Sequence, residues 1–349
     1  MSKKVRVLIV DDSPVVRQLL KSTIERSPNL EVVGTARDPF LAVKKIKKLS
    51  PDILTLDVEM PRMNGLEFLK RLMIAHPLPV VMVSTLTSQG SQVTLKALEL
   101  GAVDFVAKPN LAKREMRIEF QRELLDKLEV AAKVEVRKLK GYNISTNSKS
   151  NAPIKIKKKL KDRIIAIGAS TGGVRALRQI LPQMPDDIPG VVIIQHMPKE
   201  FTKTFAENLN QISKIKVKEA EDGDQIVAGQ ALVAPGGYHL EVKKRRAGYY
   251  VRLLRGEKVN YQRPAVDVSF NSLAQFADSS VIAVLLTGMG SDGAKGLRRI
   301  KEVGGYTLVQ NQESSTIFGM PKRAIEIGAA TEIVALNQIV EKIINYLND

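Results

Sequence analysis

The chain has 349 residues, enough for two domains that each bury a core, and no cysteine, which excludes disulfides, thiolate nucleophiles and cysteine-ligated metals. Its formal net charge is +17, but residues 126–163 alone hold 12 Lys and Arg against 4 Asp and Glu, mostly in KLKGYNISTNSKSNAPIKIKKKLKDR. That composition reads as a solvated linker, so no nucleic acid is expected as a partner. The apolar run of MSKKVRVLIVDDSPVV stops at Asp11 and Asp12 before an export signal can form, and no run approaches the ~18 residues of a membrane span. A cytoplasmic protein without membrane insertion is expected.

From the N-terminus, VRVLIV, EVVGTA, DILTLD, VVMVST and DFVAKP are short β-type runs, each followed by a helical pattern such as VVRQLLKSTI or GLEFLKRLMI. The alternation predicts an α/β domain over residues 1–125, doubly wound around a five-stranded parallel sheet. Ser13–Pro14 reads as a helix start, and Gly101 as a stop after KALEL. A last helix is expected from about Lys113 to about Lys140.

In such a sheet the residues that end the strands share one edge. Asp11 and Asp12 end the first strand, Asp57 the third, Ser84 the fourth and Lys108 the fifth, just before Pro109, a candidate cis peptide. Each alone could be an ordinary turn residue. Together they describe a pocket in which three carboxylates repel one another unless a hard cation such as Mg²⁺ offsets them. Metal and ammonium would neutralise phosphoryl oxygens while a carboxylate attacks.

The stretches VLIVDDS, LDVEMPRMNG, VVMVST and DFVAKP resemble, in order, the receiver domain of two-component response regulators. The resemblance implies that Asp57 is the phosphoacceptor and that Asp11, Asp12 and Asp57 are the Mg²⁺ ligands. It further implies that Lys108 contacts the phosphate and that Ser84 and Phe105 form the phosphorylation switch. A histidine kinase would be the phosphodonor.

Residues 126–162 read as the end of a helix and then the basic linker. From residue 163 the pattern resumes with RIIAIG, VRALRQIL, GVVIIQ, FTKTFAENLN and KVKEA. Short runs without helices follow from Ala231 to Leu254, where an antiparallel hairpin excursion is expected. VDVSFNSLAQF, VIAVLLTG, GLRRIKEVG, YTLVQ, KRAIEIG and a helix near Asn337 to Leu347 complete a mostly parallel α/β domain over 163–349.

Gly168, Ala169, Ser170, Thr171, Gly172 is a G-x-S-x-G at a strand-to-helix turn. It lacks the Gly-Lys-Ser/Thr of a phosphate loop and the central glycine of a dinucleotide fingerprint. It does suit a serine held out as a nucleophile, with the Thr171 N–H at the helix entrance. A plain helix cap is the simpler alternative until a base is found. Among three histidines, His76 precedes Pro77 at a helix end and His239 begins a hairpin strand, whereas His196 follows GVVIIQ on the edge that presents Ser170. Asp292, in the glycine-rich loop after VIAVLL, is the candidate third member, and the N–H of Met289 can aim inward from the same loop. Asp186 and Asp187 lie between prolines and read as an exposed loop.

IGASTGG, QHMP, APGGYHL, RPAVDVSF, LLTGMGSDGA and FGMPKRA resemble, in order, the catalytic domain of the chemotaxis protein-glutamate methylesterases. Glu200 stands where that family commonly has glycine. The resemblance implies a Ser170, His196 and Asp292 triad, with an oxyanion hole from the N–H groups of Thr171 and Met289 and no cofactor for hydrolysis. It implies removal of γ-methyl esters from glutamates on methyl-accepting chemoreceptors, deamidation of receptor glutamines, and control by phosphorylation. A response regulator with a DNA-binding output and a serine peptidase using the same triad are the alternatives.

Overall fold

The computed structural model describes residues 3–85, 87–109, 113–136, 163–246, 248–276 and 279–348. The chain divides into two units, residues 1–145 and 146–349.

The first unit runs β1 (Val5–Val10), α1 (Pro14–Ile24), β2 (Leu30–Ala36), α2 (Pro39–Leu49), β3 (Ile53–Asp57), α3 (Gly65–Ala75), β4 (Val80–Ser84), α4 (Ser88–Glu99), β5 (Asp104–Ala107) and α5 (Arg114–Ala131). The strands form one sheet in the order β2-β1-β3-β4-β5, every pair parallel. Such strands lie under helices on both faces, which is why they read as unbroken apolar runs. The first four helices start on capping side chains: Ser13, Asp38, Asn64 and Thr87 accept from the N–H of Val16, Leu41, Glu67 and Gly90. Helix α5 ends at Ala131 rather than near Lys140, because its buried stripe of Phe120, Leu124, Leu128 and Ala131 ends there. The first core therefore reaches past residue 125. The linker segment 137–162 lies outside the described residues.

The second unit runs β6 (Ile164–Ala169), α6 (Gly173–Ile180), β7 (Gly190–Gln195), α7 (Lys199–Ile212), β8 (Lys216–Glu219), β9 (Gln230–Val233), β10 (His239–Arg245) and β11 (Gly248–Leu254). It continues with α8 (Val266–Ala274), β12 (Val281–Leu285), α9 (Ala294–Glu302), β13 (Tyr306–Gln310), α10 (Met320–Glu326), β14 (Glu332–Val334) and α11 (Ile339–Asn348). Seven strands form a parallel sheet in the order β14-β13-β12-β6-β7-β9-β8. The antiparallel excursion is narrower than expected, β10 with β11 only. The run at Ala231 belongs to the main sheet, because the connection from Ala220 to Gly229 carries the chain back to the same end, leaving β8 and β9 parallel. The hairpin is fastened to α8 by the Val242 N–H on Ser272 Oγ and the Ser269 hydroxyl on the Leu240 carbonyl. Its inner residues Leu240, Val242 and Val251 join Phe270 and Leu273 in the core. From the central β6 the chain builds outward to β7, then crosses to β12 on the other side. The edge between β6 and β12 is thus a topological switch point, where open α/β sheets bind ligands.

Candidate active site and acidic pocket

In the first unit the carboxylates of Asp11, Asp12 and Asp57 each offer an oxygen within 4.8 Å of the others. Asp11 and Asp57 are buried and Asp12 is exposed. Asp11 Oδ1 accepts the Ser13 N–H at 2.9 Å. The chain can turn back over Asp57 because residue 65 is glycine, whose missing Cβ would lie 1.9 Å from the Asp57 carbonyl oxygen. Lys108, held by its N–H on the Ser84 carbonyl at 2.7 Å, places Nζ 3.0 Å from Asp11 Oδ2 and 2.9 Å from Asp57 Oδ2. One ammonium does not neutralise the cluster: burial and the neighbouring Asp11 charge push the Asp57 carboxyl up to about 6. The donor set is all oxygen and still short of positive charge, which fits a hard divalent cation such as Mg²⁺.

Ser84 on β4 and Phe105 on the adjoining β5 are both buried. The Ser84 hydroxyl oxygen accepts from Thr94 of α4 at 2.8 Å. Phe105 has Lys127 of α5 over its ring at 5.2 Å, while Lys127 Nζ also reaches the Phe105 carbonyl at 2.6 Å and Asp104 at 3.2 Å. Sequence reasoning missed Thr94 and Lys127, since each sits at an ordinary helical position. The cis X–Pro peptide of the described residues is Arg263–Pro264, not Lys108–Pro109.

In the second unit Ala169 and Gln195 are register partners at the ends of β6 and β7, so the residues that follow them, Ser170 and His196, leave adjacent strands side by side. The His196 N–H donates to the Ala169 carbonyl at 3.1 Å. The Gln195 amide fastens the two ends by donating to the carbonyls of Ser170 (3.0 Å) and His196 (3.1 Å). The glycines around Ser170 are required by space: Gly172 has φ +83° and a Cβ there would meet Thr316 at 2.5 Å, while one on Gly168 would meet Val266 at 2.4 Å. From the β12 side the Ser170 N–H donates to the Thr287 carbonyl at 3.0 Å, and Gly288 packs so tightly that an added Cβ would lie 2.8 Å from Ser170 Cβ. The Gly288 carbonyl in turn accepts the Met320 N–H at 2.9 Å, so the Phe318–Pro321 stretch braces the loop that carries Met289.

Asp292 and His196 meet: His196 Nε2 lies 2.8 Å from Asp292 Oδ2, both side chains nearly inaccessible. The carboxylate accepts three further bonds, from the N–H groups of Val266 (2.6 Å) and Asp267 (3.1 Å) and from Asn260 Nδ2 (2.7 Å). Burial alone would push this carboxyl up, but the bonds from His196, Asn260 and Val266 hold it below the usual carboxylate range. An ionised carboxylate only accepts, so the imidazole proton is on Nε2 and the free electron pair on Nδ1. Nδ1 is buried and has no hydrogen-bond partner among the described residues, the Ser170 hydroxyl included. Asp292 is a helix cap as well, but of α8 rather than of the helix that follows it. Asp267, the second residue of α8, reciprocates by accepting the Gly296 N–H of α9 at 2.8 Å.

The other candidates fall elsewhere. His239 is buried in the hairpin, its Nε2 2.8 Å from the Glu257 carbonyl and its Nδ1 accepting the Ala265 N–H at 3.3 Å, a structural role. His76, at the end of α3, and Asp186 and Asp187 are exposed. Thr171 is buried at the start of the turn, its carbonyl accepting from Thr287 Oγ1 at 2.9 Å.

Residues 7–119 match the family model of the response regulator receiver domain, and residues 165–343 that of the CheB methylesterase. Fold and matches together define a receiver followed by an α/β methylesterase domain. The chain is 48% identical to a protein-glutamate methylesterase/protein-glutamine glutaminase of Pectobacterium atrosepticum, over 98% of this chain and 96% of that one. It is 49% identical to protein-glutamate methylesterase/protein-glutamine glutaminase 2 of Pseudomonas aeruginosa, over 96% and 95%. The crystal structure of the Thermotoga maritima CheB methylesterase catalytic domain aligns with a TM-score of 0.52 and 42% identity, covering 53% of this chain and 98% of that one. The chain belongs to the CheB methylesterase family. Among the described residues no helix is long and apolar enough to cross a membrane.

Proposed function

We propose that the second unit hydrolyses the γ-methyl esters of glutamate side chains on chemoreceptor cytoplasmic helices, releases methanol, and deamidates receptor glutamines by the same route, under control of phosphorylation at Asp57. The observation that carries this reading is the buried His196–Asp292 pair beside Ser170 at the switch point of the sheet. It is supported by the names of the relatives, which pair the two activities.

In this mechanism the substrate closes the gap between Ser170 and His196, since such bonds are often long without substrate. His196 Nδ1 takes the hydroxyl proton as Ser170 Oγ attacks the ester carbonyl, and Asp292 stabilises the imidazolium through Nε2–H. The N–H groups of Thr171 and Met289 hold the oxyanion. His196 then returns its proton to the departing methoxide, giving methanol and an acyl-serine. Water, deprotonated by His196, attacks that ester, and the carboxylate leaves as Ser170 recovers its proton. A glutamine passes through the same tetrahedral species, with ammonia leaving.

In the receiver, Asp57 accepts the phosphoryl group from a histidine kinase, and Lys108 contacts its oxygens. Asp11, Asp12 and Asp57 would hold Mg²⁺, which supplies charge neutralisation for phosphoryl transfer. Ser84 and Phe105 then change position to report the modification. The test is methanol release from methylated receptor by the wild type, Ser170→Ala and Asp57→Asn, each with and without a small phosphodonor and Mg²⁺. Ser170→Ala is expected to lose at least ~10⁴-fold, and Asp57→Asn to lose the stimulation. A Ser170→Ala enzyme at the wild-type rate removes the proposal.

A further inference from the structure

Two buried carboxylates face each other behind His196. The N–H of Asp267 lies 3.1 Å from Asp292 Oδ1, so the acids of α8 and of the β12 loop are immediate neighbours. Burial, with the Asp292 charge as a smaller contribution, pushes the Asp267 carboxyl up, opposite to the shift at Asp292. One uncharged group stands between them: Asn260 Nδ2 donates to Asp292 Oδ1 at 2.7 Å and to Asp267 Oδ2 at 3.0 Å. An amide nitrogen has two hydrogens, one for each acid.

The backbone is shaped to deliver it. Val259 and Gln262 exchange N–H to carbonyl bonds at 3.1 and 2.9 Å, which closes a two-residue turn on Asn260 and Tyr261. Both turn residues have positive φ, 51° and 64°. Two consecutive left-handed residues are costly for side chains other than glycine, and asparagine tolerates the conformation best. Such strain persists where the surroundings impose it. Below, Arg263 Nη1 holds the Gly256 carbonyl and His239 meets the Glu257 carbonyl, which fastens the loop's other end.

We propose that Asn260 is a positioning residue for the hydrolysis: its amide clips Asp267 to Asp292 and holds the Asp292 carboxylate in line with His196 Nε2. The inference rests on the hydrolytic reading of Ser170, His196 and Asp292. Without the clip, Asp292 loses one of four donors and becomes more basic, its repulsion with Asp267 is unopposed, and either acid can rotate toward a shared proton. The charged and titratable groups around the clip are Asp267, Asp292 and His196. Lys295, Arg298, Arg299, Glu302 and Arg323 line the cleft of ≈ 530 Å³ on which Asn260 and Asp267 open.

The test compares Asn260→Gly, which accepts the left-handed backbone but has no donor, with Asn260→Asp, which keeps the shape and replaces the donor by an acceptor. Methanol release from methylated receptor is followed against pH in the full chain, with Ser170→Ala alongside. Both variants are expected to lose kcat by roughly ten- to hundred-fold, the equivalent of one hydrogen bond to a charged group, with KM within about threefold. The acid limb of the kcat profile should move to lower pH, because an Asp292 carboxylate turned toward Asp267, or sharing its proton, supports the imidazolium less. A merely structural loop anchor would lower kcat without moving that limb. If Asn260→Gly does not fold, Asn260→Asp carries the same comparison. Variants within about twofold of wild-type kcat, or an unmoved acid limb, overturn the proposal while inactive Ser170→Ala leaves the hydrolytic reading standing. A fully active Ser170→Ala takes both down.

Discussion

Replacing Asp292 by asparagine tests the site and the fold with one atom. Oδ2 of Asp292 serves His196 and Val266, and Oδ1 serves Asn260 and Asp267. An amide keeps one oxygen, so its NH₂ must face two of these donors. Each buried donor left without an acceptor costs about 1–3 kcal/mol, and Asn260 can relieve one of them by turning its own oxygen inward. The net loss expected is about 2–4 kcal/mol, read as the unfolding midpoint of the second unit in denaturant. It includes the cap on α8, whose first two N–H groups Asp292 holds. The pH dependence has a defined sign. Because the Asp292 carboxyl is held below its usual range, its stabilisation is complete above the unfolded value of about 3.9 and fades as pH falls through the folded value. The carboxylate's own share of the gap between wild type and Asp292→Asn should therefore fade below about pH 4. Catalysis should suffer more, by ~10³–10⁴, since the neutral amide cannot stabilise the imidazolium and can bind the wrong tautomer. An Asp292→Asn enzyme within tenfold of wild type, or unchanged in stability to within about 0.5 kcal/mol, would refute this account of the acid.

Gly288→Ala places a methyl 2.8 Å from Ser170 Cβ and 2.3 Å from Met320 Sδ, and the forced shift of Ser170 should cost roughly a hundredfold in methanol release; a normal rate would show that the close approach is unimportant. Lys127→Met leaves Asp104 without its ammonium, and should destabilise the first unit by about 3 kcal/mol in urea, with a change under about 1 kcal/mol counting against the ion pair's role. Because the Asp57 carboxyl is pushed up to about 6, a cation must displace a proton below that pH. Mg²⁺ affinity measured by calorimetry should therefore rise from pH 5 to 7, and a flat profile would argue against Asp57 as a ligand. Finally, if the first unit restrains the second, residues 163–349 alone should release methanol faster than the unphosphorylated whole chain, and an equal rate would end that idea.

The parts of both sites that the sequence made legible are those tied to strand ends. Asp11, Asp57 and Lys108 each close an apolar run, and in a parallel sheet that fact alone puts them on one edge. Ser170 and His196 follow the same rule on β6 and β7. Asn260 and Asp267 escaped it because neither ends a strand: one sits in a polar loop, the other inside RPAVDVSF, where it reads as the acidic first turn of a helix. Their importance is tertiary, set by α8 and α9 starting side by side. The same limit explains β9, whose four residues cannot declare their direction, since orientation depends on the path of the ten residues before them.

The reciprocal caps show why this site tolerates so much buried charge. Asp292 closes the start of α8, and Asp267, from α8, closes the start of α9, the helix that follows Asp292. Each acid lies at the positive end of a helix that the other acid's segment supplies, so the two carboxylates are stabilised by backbone N–H groups rather than by lysine or arginine. That choice matters for the proposed chemistry. A cation beside Asp292 would compete with His196 for its charge, whereas helix ends and a neutral amide satisfy the acid and leave it ionised for the imidazolium. The switch point provides the opening, and the crossed helix starts make an ionised acid tolerable at the back of it.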